Sequence, residues 1–167
     1  MNAALKAHIK KEAIANFVIN LAINAWLAWL IFSSASHLNA FGENAYVPDL
    51  AIMGVILSMI VAAIVMPLHR YRLRKSKLAT CDGPQGVYAR LAGKSTWTVV
   101  LVFGCVGGVV ALLVGLAVSV ISPTLSPMAY TAIKGLLAGV LAVIVVVPTI
   151  QLALYQDPDV TEALSSQ

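Results

Sequence analysis

Four apolar runs constrain this chain more than any other feature, because each is about 20 residues long and can cross a bilayer as a helix. They begin near positions 12, 49, 97 and 127. A soluble domain of 167 residues has no core that would bury four such helices. The composition agrees, since 60% of the residues are hydrophobic and 11% are charged, compared with about a quarter charged in soluble domains. We therefore predict an all-α, polytopic membrane protein with four transmembrane helices in a single domain, 1–167.

The distribution of Lys and Arg predicts the topology of these helices. Three precede the first run, seven lie between the second and third runs, and the two other connecting loops contain none. Because cytoplasmic loops carry the excess of positive charge, both termini and the middle loop are predicted to be cytoplasmic. The first run is too long for the apolar core of a cleaved signal peptide, so we predict a retained signal-anchor helix.

The four runs form two helical hairpins that resemble each other. The predicted boundaries are hairpin 1 at about 12–70, a basic loop at 71–96, hairpin 2 at about 97–154, and an acidic tail at 155–167. A shift of 81 residues aligns Gly54 with Gly135 and Pro67 with Pro148, and the same shift places the first run on the third. We predict a tandem duplication, which with two spans per unit is a parallel repeat. Pro67 is expected to kink or terminate the second helix.

A row of amides interrupts the first apolar run. Asn16, Asn20 and Asn24 are four residues apart and therefore share one face of a helix. An unpaired amide in hydrocarbon costs several kcal/mol, so this face must meet protein or water. Two interpretations remain open: interhelical hydrogen bonds, worth about 0.6–2 kcal/mol each, or the polar lining of a passage or binding cavity. Glu12 is then either a residue at the mouth of that passage or a solvated charge near the helix N-terminus.

Lys134 is the only Lys or Arg inside a predicted span. It lies about two helical turns, roughly 10 Å, from the outer end of the fourth helix. Its long side chain can snorkel outward to the interface. Alternatively, its ammonium group pairs with Asp49 or Glu43 at the same membrane level and either holds an anionic site or locks the two hairpins together.

The third and fourth helices are rich in small residues, which let helix backbones approach closely in a membrane. The positions concerned are Gly104, Gly108, Gly115, Gly135 and Gly139. This pattern predicts close packing of the third helix on the fourth within one subunit, or alternatively a dimer interface.

Few residues suggest chemistry. The histidines His8, His37 and His69 fall in different flanks, so no metal site and no cofactor are predicted. The spans contain no paired carboxylates and no nucleophile–base pair, which argues against an enzyme. The basic residues lie beside membrane spans without a nucleic-acid-binding pattern. They are expected to attract anionic lipid instead, by about 1 kcal/mol each near the membrane surface.

The second run ends in Pro followed by cations, in the stretch MPLHRYRLRK. A two-helix unit with this ending is similar to small bacterial inner-membrane proteins of unknown function that are often labelled permease-like. The second copy retains Pro148 but lacks the cations. The resemblance implies a multi-pass protein of the inner (plasma) membrane. We expect a small permease or channel-like transporter for an ion or polar solute. Since four helices offer a narrow interior, we expect the path to lie between the subunits of a homo-oligomer. The alternative is a non-transporting scaffold or accessory subunit of a membrane complex.

Overall fold

The computed structural model describes residues 3–75 and 86–155. Within them, four long helices follow one another: α1 (Ala3–Phe32), α2 (Tyr46–Arg74), α3 (Thr96–Ile121) and α4 (Pro127–Leu154). All four are long and apolar enough to cross a membrane. The prediction of an all-α, multi-pass membrane protein is therefore confirmed. Most of the predicted acidic tail and the centre of the basic loop, including Cys81, lie outside the described residues.

The helices pack in an order that differs from their order in the chain. The central pair is α2 and α4, with α1 packed on α4 and α3 packed on α2. The helices alternate in direction, so α1 and α3 begin, and α2 and α4 end, at one end of the bundle. We call this the basic end, because among residues 3–75 and 86–155 the Lys and Arg residues that flank the helices lie there.

The two loops at the opposite end are joined to each other. The strands β1 (Leu38–Asn39) and β2 (Thr124–Leu125) pair in antiparallel fashion, and we call this end the ribbon end. The hydroxyl of Tyr46 donates a hydrogen bond of 2.7 Å to the carbonyl of Ser122. These contacts fix the start of α2 against the loop that leads into α4.

The predicted packing of the third helix on the fourth is wrong, because the glycines of α3 face α2. A Cβ atom added at Gly107 would lie 1.9 Å from the Oγ of Ser58, and one at Gly104 would lie 2.5 Å from the Cγ of Met59. The space that the missing side chains leave is thus already filled by α2. The other members of the small-residue set are also at helix contacts: Gly108 and Gly115 face α2, and Gly135 and Gly139 face α1.

The helix boundaries agree with the prediction at α4 and differ at α1 and α2. The Oγ of Ser126 accepts a hydrogen bond from the amide of Ala129, so Ser126 caps α4, and Pro127 follows as its first residue. By contrast, α2 continues through Pro67 to Arg74, and termination at that proline is not observed. The first helix begins at Ala3, well before the apolar run, because the Ala- and Lys-rich flank favours helix. Residues before the run therefore lie on the same helix as the asparagines.

Candidate functional site: a polar groove beside α1

A polar side chain recurs at every fourth position of α1, from its first turns to its middle. This row consists of His8, Glu12, Asn16, Asn20 and Asn24, and each of them is half-buried. His8 extends the spacing of the asparagines to the basic end. Sequence reasoning missed it, although the four-residue spacing before Glu12 was visible.

The amides of the row bond within their own helix. The Nδ2 atoms of Asn16, Asn20 and Asn24 donate to the backbone carbonyls of Glu12, Asn16 and Asn20 at 2.9, 2.8 and 2.9 Å. Such bonds to the carbonyl four residues earlier satisfy the amide nitrogen without a neighbouring helix. The amide nitrogens therefore do not form the interhelical hydrogen bonds of the first interpretation. Each Oδ1 atom is left available as an acceptor.

A cavity of about 390 Å³ lies between α1 and α2. Asn20 and Asn24 line it from α1, and Asp49 of α2 and Lys134 of α4 line it near the ribbon end. Its remaining walls are aliphatic or thioether side chains: Ile23, Leu27, Ile52, Met53, Ile56, Leu57 and Ile60. The cavity therefore combines a few polar groups with an apolar surface, as small-molecule sites commonly do.

An ion pair lies at the ribbon end of this cavity. The Nζ of Lys134 lies 2.5 Å from the Oδ2 of Asp49, and the hydroxyl of Tyr130 donates to the same oxygen. The Lys134 side chain is only 7% exposed, so it does not snorkel, whereas Asp49 is 29% exposed. Of the two open interpretations, Lys134 thus adopts the pairing with Asp49, and this pair joins α2 to α4. Glu43 is exposed in the loop, and its backbone carbonyl accepts from Asn39.

A second polar cluster lies at the basic end, where α1 begins and α2 ends. The Nε2 atoms of His8 and His69 are 3.2 Å apart, and the Oε1 of Glu12 is 3.0 Å from the Nη1 of Arg72. Glu12 is therefore an ion-paired residue inside α1 and not a solvated charge at its start. The expectation that the histidines are too far apart to share a site is wrong for His8 and His69. The antiparallel directions of α1 and α2 bring them together, while His37 lies at the ribbon end.

The fold and the groove define a multi-pass membrane protein with a polar row on one helix and an ion-paired cluster at each end of it. No protein-family model, curated protein or solved structure matches the chain.

Proposed function

We propose that this protein is a small permease or channel-like transporter for an ion or small polar solute. The observation that carries the proposal is the polar row on α1. From Glu12, at the start of the apolar run, to Asn24 it rises about 18 Å along the helix axis, which is more than half of the roughly 30 Å thickness of the hydrocarbon core. A polar side chain at every turn over this distance gives a solute successive partners where lipid offers none.

The chemistry of the row suits a solute that exchanges hydrogen bonds or carbonyl ligands. The three Oδ1 atoms are acceptors, because the amide nitrogens already donate to the backbone. The carboxylates of Glu12 and Asp49 are each paired with a cation, so neither end of the row carries an isolated charge. The role that we propose involves no catalytic step.

A homo-oligomer would complete the path. Because α1 packs on α4 and not along α2, the groove between α1 and α2 remains open at the side of the bundle. Apolar side chains such as Ile19 and Trp26 are 54% and 62% exposed on α1, and a second copy could cover them and the groove together. Helix association of this kind in membranes relies on close packing and on polar contacts across the interface.

We further propose that the two hairpins arose by duplication. Gly54 of α2 contacts Ala111 of α3, and Gly135 of α4 contacts Ala25 of α1 in the same way. The two glycines are 81 residues apart, whereas the two alanines are 86 apart. These contacts align the first and third helices with a shift of 86 residues and not with the shift of 81 that we expected from the sequence, because the loop of the first hairpin is longer than that of the second. These reciprocal contacts support a parallel repeat with its axis along the membrane normal.

The charge distribution supports an orientation with the basic end, and both termini, in the cytoplasm of a bacterial-type inner membrane. Lys6, Lys10 and Lys11 lie at this end together with the cations that flank α2 and α3. Anionic headgroups are the partner that this surface would recruit.

Flux through proteoliposomes tests the transport proposal. The purified protein is reconstituted and screened with Na⁺, K⁺, H⁺, urea and glycerol, using wild type, Asn20→Leu, and Val18→Leu as the matched control. Val18 lies on the same helix, is 55% exposed and lines no part of the cavity. Loss of one polar position should raise the barrier by more than about 1.4 kcal/mol and so reduce flux about tenfold or more. The proposal fails if no solute moves, or if Asn20→Leu and Val18→Leu conduct equally.

An accessory subunit is the second candidate, and the free Oδ1 acceptors favour it specifically. A partner helix lying in the open groove could donate hydrogen bonds to them. In that case Asn20→Leu would release a co-purifying membrane protein, whereas flux would be absent from wild type and variant alike.

A further inference from the structure

Three potential metal ligands converge at the basic end of the bundle. One potential ligand atom from each of His8, Glu12 and His69 lies within 4.8 Å of the other two. The Nε2 atoms of the two histidines are 3.2 Å apart, and the Nε2 of His8 lies 3.8 Å from the Oε1 of Glu12. Ligands at about 2.1 Å from a tetrahedral zinc ion are roughly 3.4 Å apart. The two observed separations, 3.2 and 3.8 Å, lie on either side of that value.

The backbone of α1 places two of the three groups on one face. His8 and Glu12 are four residues apart, so their side chains project from successive turns toward α2. Both belong to the row that includes the asparagines. No movement of one helix along the other is needed to bring them to His69, since they already contact it or lie beside it.

His69 is oriented as a metal-ligating histidine usually is. Its side chain is fully buried, and its Nδ1 lies 2.9 Å from the backbone carbonyl of Val65. A carbonyl only accepts, so Nδ1 carries the hydrogen, and Nε2 of the neutral ring presents its lone pair to His8. A ligating imidazole almost always donates its other N–H to a carbonyl or carboxylate in this manner. The Nε2 of His8 lies 3.2 Å from the Nε2 of His69.

Arg72 makes the site exchangeable. The Nη1 atom of its guanidinium lies 3.0 Å from the Oε1 of Glu12. Arg72 therefore places a positive charge beside any cation bound at this carboxylate. A metal bound between the Nε2 of His8 and the Oε1 of Glu12 would compete with Arg72 for the same carboxylate oxygen. Two imidazoles and one carboxylate leave a fourth coordination position open, which is typical of sites that exchange water or another ligand.

We propose that His8, Glu12 and His69 bind a divalent transition-metal ion, for which Zn²⁺ has the best-fitting chemistry. Imidazole nitrogen selects transition metals, whereas Mg²⁺ and Ca²⁺ prefer sites made of oxygen ligands alone. The proposal goes beyond the transport function and does not depend on it, because binding is measured without flux.

Cobalt serves as the probe, because tetrahedral Co²⁺ absorbs strongly in the visible range and zinc does not. Full-length protein in detergent is titrated with Co²⁺ and then with Zn²⁺, with Mg²⁺ as a negative control. Wild type should bind one ion per chain and release it to Zn²⁺ but not to Mg²⁺. His8→Gln and Glu12→Gln should each weaken binding by more than the roughly 10- to 100-fold cost of losing an outer-shell partner. His37→Gln, which removes the histidine at the ribbon end, should bind as wild type does.

Two further measurements keep the test decisive if a variant folds poorly. Zn²⁺ should raise the melting temperature of wild type and of His37→Gln but not of His8→Gln, because a ligand that binds the native state alone stabilises it. Arg72→Gln should bind Co²⁺ several-fold more tightly than wild type, since it removes the competing cation. Equal binding by wild type and His8→Gln, or no binding by wild type, overturns the proposal. Absence of flux in a protein that binds Co²⁺ would overturn only the transport function.

Discussion

Replacement of Asp49 by Asn should destabilise the bundle more than removal of its partner Lys134. The variant retains the shape of the side chain and an acceptor for the hydroxyl of Tyr130. It leaves the ammonium of Lys134 without a counter-charge at a site where the side chain is only 7% exposed. Breaking a buried pair in this way costs about 3–5 kcal/mol, because one charge remains desolvated and unpaired.

The reverse change leaves a better-solvated group behind. In Lys134→Met, the carboxylate of Asp49 is 29% exposed to the cavity and still accepts from Tyr130. We expect a cost of about 1–3 kcal/mol, the usual value for loss of a charged hydrogen bond. The double variant Asp49→Asn/Lys134→Met contains no unpaired charge and should lie close to wild type, because a buried pair replaced as a whole is often neutral.

The free energy of unfolding is measured for these four proteins in mixed micelles, with circular dichroism following the loss of helix. Wild type and the three variants form a double-mutant cycle, so the coupling between the two sites is obtained directly. The expected sign is a double variant more stable than Asp49→Asn alone by about 2 kcal/mol or more. Additive single changes, or a cost for Asp49→Asn below that of Lys134→Met, would refute the reasoning.

Two other expectations can be checked with single substitutions. Gly107→Ala should cost about 1–3 kcal/mol through overpacking, since its Cβ would overlap Ser58, whereas Gly115→Ala meets its nearest atom at 3.4 Å and should be tolerated in the same unfolding assay. If both alanines are equally harmless, the contact between α2 and α3 is not as close as described. In a chain lacking its two native cysteines, Ser36→Cys should react with an impermeant maleimide on intact cells and Lys75→Cys only after lysis; the opposite pattern would invert the orientation.

The number and approximate limits of the spans were predictable because hydrophobic length is a local property of the sequence. The packing order was not, because small-residue rows specify that a helix is approached closely and not which helix approaches it. Gly104 and Gly135 therefore suggested contact between α3 and α4, whereas each faces a helix of the other hairpin. That choice depends on all four helices together.

The two ends of the candidate site differ in how far sequence could predict them. The pairing of Lys134 with Asp49 was one of the interpretations that the sequence left open, beside pairing with Glu43 and snorkelling, because a lone charge in a span requires a partner or an outlet to the interface. The cluster of His8 and His69 did not follow, because the first helix was taken to begin only at the apolar run. Once α1 is extended to Ala3, His8 joins the four-residue row, and the antiparallel α2 brings His69 to it.

The geometry of the row explains how it reaches both polar clusters. Each step of four residues turns about 40°, so the five positions from His8 to Asn24 wind by about 160° around α1. At the basic end the row meets His69 of α2, and near its other end it lines a cavity whose walls come mostly from α2. The row therefore has α2 as a neighbour at both ends, and Lys134 of α4 joins it at the cavity.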